Sequence, residues 1–135
     1  MGAWAEDAFG NDTACDWAGD FSENPSLEVV KEAINSVIAT ADYLDSDEAC
    51  EGLVACEIVA RLKGNWGEKS VYSEEIDKWV ESTNVEPSKE LVAAAEKAIV
   101  RILGSDSELQ ELWDEDGKSE KWHSEMNNLL ERVKS

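Results

Sequence analysis

The chain has 135 residues, 42% of them hydrophobic, and its 31 acidic and 12 basic side chains give a net charge of −19 at pH 7. This length and hydrophobic content suit one domain with its own core, and the sequence has neither an apolar stretch long enough to span a membrane nor a signal peptide, so we predict a single cytoplasmic domain over residues 1–135. The acidity disfavours binding to nucleic acid or to an anionic membrane, because both require clustered Lys and Arg.

Helical periodicity dominates the chain, since apolar residues recur at spacings of three and four and alternating β-branched runs are missing. The helix starts are predicted from capping patterns: Asn11 or Asp12, Asn24 followed by Pro25, Asp45 paired reciprocally with Glu48, Ser73, Glu86 followed by Pro87, and Ser105 paired with Glu108. The corresponding helices end near residues 21, 41, 63, 80, 104 and 113, and a last helix follows a break at Gly117 and includes 122–133.

The third and fifth predicted helices are apolar on nearly all sides, so we expect them to be central. The predicted fold is therefore an all-α, compact single-domain bundle of six or seven helices around two central apolar helices. Four of the six tryptophans lie on apolar helical stripes and are predicted to be core: Trp17, Trp79, Trp113 and Trp122. Trp4 and Trp66 lie in predicted loops, where they either staple the chain onto the bundle or serve as exposed anchors for a partner.

The residues that could carry cofactor or thiol chemistry are few. Cys15, Cys50 and Cys56 form an odd set without the spacing of a disulfide framework, which favours reduced thiols. His123 is the only histidine, and no pair of closely spaced His or Cys ligands suits zinc. We therefore predict no cofactor, no metal and no catalytic residue.

The excess negative charge is concentrated in three segments that contain acids but no Lys or Arg. Residues 1–30 hold seven acids, residues 42–57 hold six and residues 106–116 hold six, which together equal the net charge. We call these segments the first, second and third acidic blocks. Acids near helix N-termini are favoured by about 0.3–1 kcal/mol each, but this preference does not explain why basic residues are absent throughout the blocks.

We therefore predict that the three blocks share one face, which binds a basic protein partner. If the blocks lie on different sides of the fold, this hypothesis fails. The candidate contact residues are Asp12, Asp16, Asp20, Asp45, Asp47, Glu48, Glu51, Glu108, Glu111, Asp114 and Glu115.

Two alternatives stay open. Asp12, Asp16 and Asp20 recur every fourth residue and line one face of the first helix, where they could join acids of another block to hold Mg²⁺ or Ca²⁺. That arrangement would suit a carboxylate-based metal-binding domain or a metal-dependent hydrolase, although a solvated helix face is the simpler interpretation. The other alternative is a housekeeping domain whose acidity serves only solubility.

Two segments carry a resemblance to a known family. The opening, MGAWAEDAFGNDTACDW, resembles MGAWGxGxFxNDxAxDW, with which members of a bacterial domain-of-unknown-function family, DUF4259, begin, and SELQELWDE at 107–115 resembles the family's SELxELWEE segment. The chain departs from the family at Ala5 and Asp7, where glycine is usual, so a role that needs a glycine backbone shape there is not expected. The resemblance implies an all-helical, bacterial, cytoplasmic protein and supplies no catalytic residues.

Charge and composition together favour a non-enzymatic interaction protein. Its concrete form would be an immunity protein or antitoxin-like inhibitor of a bacterial toxin, since nuclease toxins are basic where they hold nucleic acid. The sequence leaves the oligomeric state open.

Overall fold

The computed structural model describes residues 8–115 and 119–135, the side chain of Ser119 excepted. These residues form seven helices: α1 (Asp12–Glu23), α2 (Leu27–Ala39), α3 (Ser46–Leu62), α4 (Glu74–Ser82), α5 (Lys89–Leu103), α6 (Glu108–Glu115) and α7 (Ser119–Lys134). The described ranges contain no strand, so the predicted all-α fold is confirmed. Within the same ranges, no helix combines the length and the apolar character needed to cross a membrane.

The helix α3 lies at the centre of the bundle and contacts all six other helices. Every residue from Gly52 to Arg61 is buried. Gly52 permits the close approach of α2, because a Cβ atom at this position would lie 2.5 Å from Cγ2 of Val37. The second central helix is α5, which packs against α2, α3, α6 and α7.

Two helices begin later in the chain than the sequence predicted, and each of them is capped by a serine. The starts predicted at Asn24 and Glu86 are wrong, since α2 is capped by Ser26 and α5 by Ser88. Each hydroxyl accepts the N–H group three residues on, at 3.3 and 3.1 Å. The proline before each serine therefore precedes the cap instead of occupying the first helical position, because the serine hydroxyl supplies the acceptor that begins the helix. Of the two caps that the sequence allowed for α1, Asn11 and Asp12, the structure has Asn11, whose Oδ1 accepts the N–H of Ala14 at 2.7 Å.

Aromatic contacts join the outer helices in pairs. Trp113 and Trp122 are buried and stack with their ring centroids 6.3 Å apart, which joins α6 to α7. Phe21 stacks on Trp17 and meets Trp79 edge to face, with ring centroids 5.4 and 5.2 Å away, which joins α1 to α4. Trp17 and Trp79 are only partly buried, so they pack on the edge of the core.

Candidate acidic surface

The second and third acidic blocks meet at the start of α3. The N–H of Leu44 donates to the carbonyl of Asp106 at 2.8 Å, and the N–H of Glu108 donates back to the carbonyl of Leu44 at 2.9 Å. The carboxylate of Glu108 also accepts the N–H of Ser46 at 2.8 Å. Glu108 thus begins α6 while supplying a negative charge to the N-terminus of α3, where the helix dipole favours it.

Tyr43 adds a second contact between these two blocks. Its hydroxyl donates to the carboxylate of Glu111 at 2.8 Å. This hydrogen bond, together with burial and the negative charges of Glu111, Glu108 and Asp106, raises the pKa of Tyr43 to about 12. The phenol therefore stays protonated at neutral pH and keeps its donor to Glu111.

The first block joins the other two through α1, which packs against α3. The hydroxyl of Thr13 donates to the carboxylate of Asp47 at 2.9 Å. Asp16 and Asp20 lie three and seven residues after Thr13, so they project from the same side of α1. Burial raises the pKa of the Glu51 carboxyl, and the nearby carboxylates of the second block and of Asp20 raise it further.

Parts of all three blocks thus surround the first turns of α3. We call this region the acidic surface, and its members are Asp16, Asp20, Asp45, Asp47, Glu51, Glu108 and Glu111. Among the described residues, no Lys, Arg or His nitrogen lies within 4 Å of a carboxylate of this set. Asp12 stands beside it, exposed in the first turn of α1.

Glu48 is half-buried, and its side chain turns toward α2. Its carboxylate accepts the hydroxyls of Ser36 at 2.9 Å and Thr40 at 3.2 Å, which fastens α2 to α3. The reciprocal cap predicted for α3 is therefore only half present. Asp45 accepts the N–H of Glu48 at 2.9 Å, whereas the Glu48 side chain is held by the two hydroxyls of α2.

The last two candidates lie at the far end of α6. Asp114 is about 9 Å along the helix from Glu108. It accepts a hydrogen bond from Gln110, and its carboxylate lies 3.5 Å from Nε2 of His123. Asp114 is therefore drawn toward α7, while Glu115 is exposed.

The turn before α6 differs from the predicted capping box of Ser105 with Glu108. The helix begins at Glu108, whose carboxylate is already bound to the start of α3. Asp106 adopts a φ of 56°, and the guanidinium of Arg101 binds the carbonyls of Ser105, Asp106 and Asp42 at 3.0, 3.2 and 2.7 Å. Arg101 thus places one positive charge between the second and third blocks, on carbonyls and not on carboxylates.

Glu57, an acid of the second block, is buried in a charge network that the sequence analysis missed. Arg132 donates to both of its oxygens, at 2.9 and 2.8 Å, and Nε of Arg61 donates to one of them at 3.3 Å. Arg61 also binds Asp77, whose other oxygen accepts the hydroxyl of Ser73 at 2.8 Å. The network balances two arginines with two acids and joins α3, α4 and α7.

One sequence signal could have revealed part of this network. Glu57 and Arg61 stand four residues apart within an otherwise apolar stretch of α3, the spacing at which opposite charges meet on a helix. The third and fourth members come from distant positions, Asp77 and Arg132, which no local pattern connects.

Trp66 lies against basic side chains beside this network. The ring centroid is 5.6 Å from Cζ of Arg61 and 4.2 Å from Nζ of Lys69, and the residue is partly buried. Trp66 therefore packs its loop against the bundle, as the staple alternative of the sequence analysis describes. Trp4 lies outside the described residues.

The thiols of Cys50 and Cys56 are buried and resist ionisation. Burial and the neighbouring acids raise the pKa of Cys50 to about 12, and burial raises that of Cys56 as well. Within residues 8–115 and 119–135, no three His, Cys, Asp or Glu side chains converge where they could hold a metal ion. The arrangement instead offers a dense set of carboxylates at the surface.

Comparison with known proteins places the chain in one family. The sequence model of a family described as "Domain of unknown function (DUF4259)" matches residues 2–125, a range that includes both the opening and the segment 107–115. Searches of curated proteins and of solved structures find no match. The chain belongs to the DUF4259 family of domains of unknown function.

Proposed function

We propose that this protein is a non-enzymatic interaction protein that binds a basic protein partner through the acidic surface. The observation that carries the proposal is the meeting of three blocks that lie far apart in the sequence. The hydrogen bonds from Thr13 to Asp47 and from Ser46 to Glu108 hold α1 and α6 against the first turn of α3.

Three acids of this surface have no cationic partner among the described residues. Asp16, Asp20 and Asp47 are exposed, and none of them has a basic side chain within 4 Å. Burial raises the pKa of Glu51, and the neighbouring carboxylates of the second block and of Asp20 raise it further. A partner that supplies Lys or Arg would relieve this repulsion on binding, which favours a basic surface over a neutral one.

The biological form that we propose is an immunity protein or antitoxin-like inhibitor in a bacterial cytoplasm. A toxin that cleaves nucleic acid needs a basic groove to hold phosphates. An acidic domain covering that groove would block the substrate, and electrostatic steering can raise association rates by about 10- to 1,000-fold. Such an inhibitor needs no catalytic residue of its own.

Two charge-matched variants test the proposal. The surface variant D16N/D20N/D47N removes three charges from the acidic surface. The distal variant E86Q/E90Q/E131Q removes three exposed charges that lie outside the blocks. Wild type, surface variant and distal variant are immobilised at equal density and exposed to a lysate of the producing bacterium, and the retained proteins are identified by mass spectrometry.

We expect wild type and the distal variant to retain the same basic protein, and the surface variant to lose it. A pairing with the product of the neighbouring gene, and protection of cells from that product, would establish the inhibitor role. Equal losses for both variants would show that net charge alone causes retention. That result would overturn the proposed surface and favour acidity that serves solubility.

A further inference from the structure

A groove between α5 and α7 lies outside the acidic surface and is lined mainly by basic and apolar side chains. It has a volume of about 410 Å³ and is lined by Glu96, Lys97, Val100, Arg101, Leu130 and Lys134. Val100 is 58% exposed, the second highest exposure among the large hydrophobic side chains described. The groove therefore combines an apolar floor with a mainly basic rim.

The exposed valine is not required by the packing of α5. The core face of this helix is formed by Leu91, Ile99 and Ile102, all of which are buried. Val100 stands on the outer edge beside Lys97, where a β-branched residue is a poorer helix former than Ala, Lys or Glu. Val100 therefore presents an apolar side chain at the surface, where it lines the groove with the half-buried Leu130 of α7.

The rim carries three of the chain's twelve basic residues and a single acid, Glu96. In the part of the chain that the structure describes, no carboxylate lies within 4 Å of Lys97 or Lys134. The guanidinium of Arg101 is held by the backbone carbonyls described above and is fixed in place. The two lysines are thus the side chains available to pair with carboxylates of a ligand.

We propose that this groove binds an acidic amphipathic helix of a partner protein. An apolar residue of that helix packs on Val100 and Leu130, and flanking carboxylates pair with Lys97 and Lys134. The groove is open and runs between two helices, which suits the docking of a helix along its apolar face. A second copy of the chain fits less well, because each copy brings a net charge of −19. A single helix brings few charges, and charges farther than about 8 Å from it are largely screened at physiological salt.

The test uses a labelled synthetic peptide as the probe. Its leucines recur at positions i, i+3, i+4 and i+7, glutamates flank them, and binding to the full chain is measured by fluorescence anisotropy at physiological salt. The groove variants are V100N and the double variant K97E/K134E. The matched control is K78E/K89E, which reverses two exposed lysines outside the groove. Circular dichroism verifies that each variant is folded, which the exposure of these side chains favours.

We expect V100N and K97E/K134E each to weaken peptide binding about tenfold, and K78E/K89E to change it less than about twofold. A peptide with glutamine in place of glutamate should also bind more weakly to wild type. Equal binding to wild type and both groove variants would overturn the proposal. It would also be overturned if sedimentation velocity shows a wild-type dimer that V100N dissociates, since the groove would then be an interface between copies.

Discussion

Glu51 and Glu57 lie less than two turns apart on α3 and belong to the same acidic block, yet their surroundings are opposite. Glu57 is buried and bound by Arg61 and Arg132. Glu51 is partly buried, and its pKa is raised first by this burial and then by the neighbouring carboxylates. Glu57 holds the fold together, whereas Glu51 has no cationic partner among the described residues, so its charge is available to another protein.

The buried network should be the most sensitive part of the molecule. R61M removes the guanidinium that binds both Glu57 and Asp77, and it leaves Asp77 without a cation among the described residues. Breaking a buried ion pair in this way costs about 3–5 kcal/mol. Urea unfolding should show that loss, and K89M at an exposed position should change the free energy of unfolding by less than about 0.5 kcal/mol. A loss below about 1 kcal/mol for R61M would contradict the structural role of the network.

A smaller effect is expected where Arg132 enters this network. A Cβ atom added at Gly67 would lie 2.9 Å from Cζ and Nη1 of Arg132, whose guanidinium is held by both oxygens of Glu57. G67A should therefore lower the free energy of unfolding by about 1–2 kcal/mol. The matched substitution is G19A, because a Cβ at Gly19 meets nothing within 4 Å and α1 should gain about 0.5–1 kcal/mol. Chemical unfolding that gives both variants the same sign would contradict the tight contact at Gly67.

The stability of the folded chain should depend on the ionisation of Glu51, because burial and the neighbouring carboxylates both disfavour its charged form. The pKa of Glu51 is raised in the folded state, so between its ordinary and its raised value the folded chain binds more protons than the unfolded chain. Its contribution to stability is therefore most favourable below that window and falls as pH rises through it. E51Q should stabilise the protein at pH 7 by up to about 1 kcal/mol, and the gain should vanish below the ordinary glutamate pKa of about 4.3. Thermal unfolding from pH 4 to 7 measures this difference, and a destabilised E51Q at pH 7 would contradict the account.

The smallest effect concerns the contact between Tyr43 and Glu111. E111Q removes the negative charge next to the phenol, so the pKa of Tyr43 should fall from about 12 toward the ordinary value of about 10. Alkaline titration of tyrosine absorbance measures this change, with Y43F identifying which transition belongs to Tyr43. The stability of E111Q at pH 7 should stay within about 0.5 kcal/mol of wild type, since the pair is exposed. An unchanged titration would place Glu111 away from Tyr43 in solution.

The sequence predicts features that depend on neighbouring residues and misses those that depend on distant ones. The caps at Asn11 and Asp45 follow from local side-chain chemistry, and both are present. The later starts at Ser26 and Ser88 show that a serine after the proline can cap the helix in place of the polar residue before the proline.

Local sequence patterns do not predict which acids lie close together in the folded chain. No pattern predicts that Leu44 pairs with Ser107, although this pairing joins two acidic blocks. Counting charges by segment also put Glu57 in the second acidic block, whereas in the structure it is buried and bound by Arg132, which lies 75 residues away. Local charge patterns therefore name candidate acids, and tertiary contacts decide which of them lie at the start of α3.

The most direct test of the central claim is the association rate of the captured basic protein with three forms of the chain. Wild type, D16N/D20N/D47N and E86Q/E90Q/E131Q are compared by stopped flow at low and at high salt. We expect D16N/D20N/D47N to associate about tenfold more slowly than wild type at low salt, and E86Q/E90Q/E131Q to stay close to wild type. The difference between the two variants should shrink at high salt, because salt screens the charges. Equal slowing of both triple variants would contradict the account, because the acidic surface would then act only through the net charge of the molecule.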